Sequence, residues 1–273
     1  MKDTGSELIY EVDGVELFRY VYLPDMPTFE SPKPYFHPLR TRAGHLVSSY
    51  RPNDHRWHKG LQFTASEVSG ENFWGGPSYT RADQAYVGLP NNGSMRHEEW
   101  VSEGVERLTW WTQAGEHWVD ETRTLAVDHG DDWWSLDFST RLVNVRDEDL
   151  VFGSPTTNGR ELAGYTGLFW RGPRDFTHGT VISPTGQAEM MGEKAPWLAY
   201  VAEHDEVDAH STLLFVSDPD QVWFVRREPF AAVNPSFAFF EEVRLAPGQA
   251  LELSHRVVVG DGAWEAERLR EFA

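Results

Sequence analysis

The chain has 273 residues and no cysteine, which excludes disulfides, thiolate nucleophiles and cysteine-held zinc. Its 24 lysines and arginines face 43 aspartates and glutamates, a net charge of −19 that repels nucleic-acid backbones and anionic membranes. Aromatic side chains make up 14% of it, 12 of them tryptophan, ample material for a packed core.

From the amino terminus, Met1 to Gly14 contains no apolar run of signal-peptide length, and nowhere do about 18 consecutive apolar residues occur. The expectation is a cytoplasmic protein with no nucleic-acid or membrane partner. Strands are expected over 7–12 and 15–22, joined at Asp13-Gly14, and then over 45–50 and 60–68. From Glu98 to Val145 three strands form a meander, turned at Ala114-Gly115 and His129-Gly130. Alternation is plainest in its last strand, where Trp134, Leu136, Phe138 and Leu142 fall on one face and Ser135, Asp137, Ser139 and Arg141 on the other. Further strands are expected over 180–184, 197–203, 211–217, 221–227 and 236–245. After Pro247-Gly248, Leu251, Leu253, Val257 and Val259 share a face with His255, which reads as a buried, hydrogen-bonded histidine. Only the last stretch, GAWEAERLREFA, reads as a helix. So many strands with one short C-terminal helix predict an all-β chain, a two-sheet antiparallel β-sandwich forming a single domain over 1–273.

The long irregular stretches, about 24–44, 70–97 and 146–178, are where function is expected on such a scaffold. The densest chemistry lies just past the first of them, in SSYRPNDHRWHKGLQF. Four of the eleven histidines, His37, His45, His55 and His58, fall close together. Pro52-Asn53-Asp54 favours a turn, and in a turn the i, i+3 spacing of His55 and His58 lets both rings face one pocket. One reading is general acid–base work by a histidine oriented by Asp54. Another is a divalent metal ion held by His37, His55 and His58, with or without Asp54. A third is a polar surface that binds sugar hydroxyls, and the blandest is a solvated turn. Phe73, Trp74 and Tyr79 in ENFWGGPSY, and Tyr165, Phe169 and Trp170 in GYTGLFWRGPRDF, offer flat apolar faces suited to a pyranose. The carboxylates Glu98, Glu99, Glu161, Glu241 and Glu242 stand at loop or strand edges, and none is singled out by pattern. Nucleophile-elbow, phosphate-loop, dinucleotide and zincin motifs are absent.

The run from Lys33 to Gly76, with YFHP and DHRWHKG as its specific parts, resembles a bacterial family labelled PmoA-type or "methane oxygenase" proteins. The resemblance continues more weakly through GLFWRGPRDF and NPSFAFFEEVRLAPGQALELSHRVVV. The membrane methane monooxygenase subunit of similar name needs several transmembrane helices, and this sequence has none, so methane oxidation does not follow from the label. The resemblance implies a galactose-mutarotase-like supersandwich and a role in carbohydrate metabolism. It places His37, Asp54, His55 and His58 in the catalytic motif and leaves the partner carboxylate unfixed.

The first expectation is therefore a carbohydrate-active enzyme, an epimerase, lyase or unconventional glycosidase, acting on a small-molecule sugar or glycoside. His37, Asp54, His55 and His58 are its candidate catalytic residues, and Arg51, Trp57, Lys59, Trp74, Trp170, Arg171 and Asn234 its candidate substrate contacts. The rivals are a metal-dependent oxygenase or hydrolase and a non-catalytic carbohydrate-binding protein.

Overall fold

The computed structural model describes residues 1–273 and builds them from antiparallel sheets. One sheet has eight strands, in spatial order Lys2–Asp3, Glu7–Val12, Val15–Val21, Tyr35–Leu39, Leu61–Thr64, Gly167–Arg171, Ala232–Ser236 and Val222–Arg226. The other has nine: Gly186–Gln187, Thr180–Ser183, Trp197–Glu203, His210–Ser217, Ala250–Asp261, Trp133–Asn144, His117–His129, Val105–Trp111 and Ser94–Ser102. The expected meander forms its end, in four strands rather than three because the chain also turns at Glu103-Gly104, with Phe138 opposite Leu125 and Arg123 opposite Glu106. The C-terminal helix, Ala266–Phe272, buries Leu269, which with Trp264 covers Trp197, Leu214 and Val258 on the outer face of the nine-stranded sheet. No helix is long and apolar enough to cross a membrane.

Two sheets with apolar inner faces bury those faces against each other, and 43 buried residues form the cluster between them. Period-2 alternation then decides what reaches the outside. In Gly167–Arg171, Leu168 and Trp170 belong to the inner cluster, whereas Phe169 joins a separate outer cluster with Trp74, Tyr165 and Phe224.

Several expectations are corrected, among them that of an irregular stretch over 146–178, which contains the strands Leu150–Gly153 and Gly167–Arg171. Residues 45–50 form no strand, only single bridges at Leu46 and Tyr50. Strand Tyr35–Leu39 lies in a stretch expected to be loop; its Pro38 removes a donor, and its pairing with Val15–Val21 is correspondingly irregular. The expected strand 236–245 breaks into the end of Ala232–Ser236 and a short Val243–Leu245 in a three-stranded minor sheet.

Polar groups also lie inside. The Tyr20 hydroxyl donates to Glu106 and accepts from Arg123 (2.7 Å), joining the two sheets. Arg123 donates to Glu121 (2.8 Å), which also accepts from Trp110 (2.7 Å) and Thr140 (2.8 Å). His97 Nδ1 lies 2.8 Å from Glu106. Glu106 and Glu121 are fully buried.

Candidate functional site

A cavity of about 400 Å³ opens on the outer face of the eight-stranded sheet. Its floor is Phe169 and Phe224, which that sheet turns outward, and its walls come from loops. The Arg51–Gly60 loop enters from one side. Its ends are pinned by Arg51 N–H to His58 O (2.8 Å) and Gly60 N–H to Ser49 O (2.8 Å). Inside it, successive turns close from His55 N–H to Pro52 O and from His58 N–H to His55 O, both 3.0 Å. These turns bring both imidazoles to the cavity, their ring centres 4.7 Å apart. At Gly60 a β-carbon would stand 2.2 Å from Phe36 O, so only glycine lets the loop lie this close to the sheet. Gly76 does the same for Trp57, whose ring occupies the space of a β-carbon there.

The two histidines differ in chemistry. Arg171 donates to His58 Nδ1 (3.0 Å), and a guanidinium can only donate. His58 Nδ1 is thereby an acceptor, its proton sits on Nε2, and that N–H has no partner within the chain. Burial, with Arg171 and His55 adding, holds the His58 pKa well below the ordinary imidazole range. His58 is a neutral ring with a fixed donor. His55 Nδ1 instead lies 3.1 Å from an Asp54 carboxylate oxygen but is not aligned for a hydrogen bond, so the Asp54 charge favours a proton on Nδ1, with the Nε2 lone pair free, without locking it there. Burial lowers the His55 pKa, Asp54 opposes it, and Arg171 and Arg226 add to the lowering.

Aromatic faces surround this pair. Trp74 lies 5.1 Å from His58, 4.7 Å from Tyr165 and 4.6 Å from Phe169, and Phe230 lies 5.3 Å from His55. Arg171 stacks on Phe230 at 3.6 Å. The Trp57 Nε1–H is buried without a partner. Tyr86, Arg160 and Arg226 complete the rim.

Of the residues expected from sequence, His55, His58, Trp57 and Trp74 line the cavity, Asp54 stands behind His55, and Arg171 behind His58. The others lie elsewhere. His37 bonds Ser48 Oγ through Nδ1 (2.9 Å) and stacks on Tyr50 at 5.1 Å; burial, with Arg40 and Arg19, lowers its pKa to about 4. No group of three or more histidine, aspartate or glutamate side chains is gathered as a metal ion requires. The set His37, His55 and His58 does not form, because His37 is engaged with Ser48 and Tyr50 away from the cavity. Strand alternation turns Trp170 into the core, where it donates to Val47 O (2.8 Å). Asn234 is buried on the sheet, with no hydrogen-bond partner for its amide.

Arg51 and Lys59 converge on Glu30, which the sequence reading passed over. The carboxylate sits in the short turn Thr28–Glu30, 2% exposed, accepting from Arg51 (2.5 Å) and from the buried Lys59 ammonium. Burial alone would raise its pKa, but these two cations outweigh it and hold it below the usual value. The ion pairs brace the ends of the histidine loop. Glu30→Gln is expected to cost about 1.5–3 kcal/mol in urea unfolding, since Lys59, whose pKa burial already lowers, can shed its proton rather than stay charged and unpaired. A depressed carboxylate stabilises above its unfolded pKa and is lost as pH falls through its folded one, so the difference between wild type and variant should vanish in acid.

The other cavity residues missed in the sequence are Pro77, Tyr86, Arg160, Phe224, Arg226, Pro229 and Phe230. A usable signal existed for one: Val222, Phe224 and Arg226 share a strand face, and an arginine ending an apolar stripe marks a polar rim. None of Glu98, Glu99, Glu161, Glu241 and Glu242 reaches the cavity; all are exposed.

Fold and site together define an all-β sandwich with a histidine-bearing aromatic cavity on the outside of one sheet. The chain belongs to a family of unknown function, DUF6807, whose model matches residues 8–273. No curated protein matches it. Two crystal structures of the GH36 α-galactosidase AgaA from Geobacillus stearothermophilus are similar at 14% identity. The raffinose complex has a TM-score of 0.42 and matches 91% of this chain and 40% of that one; the stachyose complex has 0.43, with 94% and 40%. The chain thus spans about 40% of the length of those enzymes, and a likeness of this degree carries no argument about the cavity. The PmoA label finds no support in these matches.

Proposed function

We propose that this protein is a carbohydrate-active enzyme of galactose-mutarotase-like architecture that moves a proton on a sugar or glycoside bound in the aromatic cavity. The observation that carries the reading is the pair of adjacent imidazoles in unlike surroundings, His58 fixed by the Arg171 guanidinium and His55 beside the Asp54 carboxylate. His55, oriented by Asp54, presents a lone pair and acts as the base. His58, fixed by Arg171, presents an N–H that donates to a substrate oxygen gaining negative charge. Trp57 and Trp74 offer faces to the sugar ring, and a cavity of about 400 Å³ suits a ligand of that size. The work of His37 in this scheme is structural.

The test is solvent exchange. Sugars and glycosides incubated with the protein in D2O should gain deuterium at one ring position by NMR. An oxidant-free panel that binds, by thermal stabilisation, yet exchanges and converts nothing would replace the enzyme reading with that of a binding module.

A further inference from the structure

The charge around the cavity is the reverse of the charge of the chain. In a protein with 43 carboxylates, no aspartate or glutamate lines it, whereas Arg160 and Arg226 do, with Arg171 just behind. None of these three arginines has a carboxylate in ion-pair reach, although thirteen other arginine or lysine side chains do. The Arg160 guanidinium donates only to the Tyr86 hydroxyl and lies over that ring at 4.7 Å. The Arg226 guanidinium makes no hydrogen bond and lies 5.4 Å from the centre of Phe224. Burial and then the neighbouring Arg160 charge lower its pKa, the mark of two cations facing each other without a counter-ion. Planar guanidinium forks beside aromatic faces are the side chains that read a carboxylate on a ring.

We propose that the ligand is an acidic sugar, a uronate residue, whose carboxylate is held between Arg160 and Arg226 while its ring lies against the aromatic wall. The ring part of this rests on the carbohydrate reading; the anionic part rests on the arginines alone. The carboxylate also explains the base. The C–H bond next to it is the one acidified in such a sugar. When that bond breaks, its proton passes to His55 Nε2 and its electron pair moves into the carboxylate, whose oxygens face the guanidinium groups. Return of the pair to carbon with a proton gives the epimer; expulsion of the neighbouring C4 oxygen, which takes the proton from His55 as it leaves, gives an unsaturated uronate and an alcohol. The anion would also offset the Arg171 and Arg226 charges that weaken His55 as a base.

Calorimetric titration at low salt tests this with glucuronate, galacturonate, their methyl esters, glucose, galactose, glucose 6-phosphate and benzoate. Free uronates should bind at least tenfold tighter than their esters. Arg226→Gln should remove that difference without lowering the melting temperature, while Arg226→Lys keeps most of the preference. Equal affinity for acid and ester, an unaltered preference in the Gln variant, or no binding by any probe overturns the proposal. Neutral sugars binding in the first two cases leave the carbohydrate reading standing. Tenfold tighter binding of the phosphate overturns the carboxylate, and binding of benzoate without any sugar overturns the carbohydrate reading while supporting the arginine site.

Discussion

His55→Asn should lower turnover of a responsive sugar by roughly 10²–10⁴-fold while leaving its binding within a fewfold, because it removes the one basic lone pair at the cavity and keeps a planar polar group where the near half of the ring stood. The base is competent when unprotonated. With its pKa lowered from 6.5, His55 is neutral throughout the range above that value, so kcat/KM should be flat near neutrality and fall only in acid. The same assignment has a readout that needs no substrate. Nitrogen-15 NMR at pH 7 should find the proton on Nδ1 of His55 and on Nε2 of His58. Arg171→Met should release His58 from its single tautomer and raise its pKa, since the charge beside Nδ1 is gone. Turnover untouched by His55→Asn, or a single shared tautomer for the two rings, would remove the division of labour between them.

The architecture was legible because a half-buried strand writes its burial every second residue, as in Trp134, Leu136 and Phe138. The histidine turn was legible because it is local: Pro52, Asn53 and the i, i+3 spacing of His55 and His58 need no distant partner to be read. What failed was anything that depends on which strand lies beside which. Arg226 comes to share a cavity with Phe169 only through the pairing of Val222–Arg226 with Ala232–Ser236 and of that strand with Gly167–Arg171. His37 and Lys59 belong by sequence to the same polar cluster as His55, but neighbouring elements claim them first, Ser48 and Tyr50 the one and Glu30 the other. Trp170 and Arg171 are adjacent in sequence and opposite in role, a distinction that a five-residue strand buried on both faces does not announce.

The same masking hid the interior ion network, and its removal is expected to be among the costliest single changes in the chain. Glu106 alternates with Leu108 and Trp110, and Arg123 and Glu121 with Leu125 and Val119, so charged residues occupy positions that the pattern reserves for the core. Arg123→Met leaves Glu121 buried with only Trp110 and Thr140 as donors, and takes from the Tyr20 hydroxyl the donor it accepts from, leaving only its bond to Glu106 to tie the sheets there. The expected loss is about 3–5 kcal/mol in urea unfolding, the usual result of stranding one member of a buried pair. Removing both charges is a different experiment. Arg123→Met combined with Glu121→Leu takes away the uncompensated carboxylate as well, and should cost less than the two single changes added together, with a coupling of about 1–3 kcal/mol. Additive losses would mean that each side chain acts by packing alone. Arg123 does lie 5.1 Å from the centre of the Phe138 ring, so the strength of the coupling decides between charge and contact.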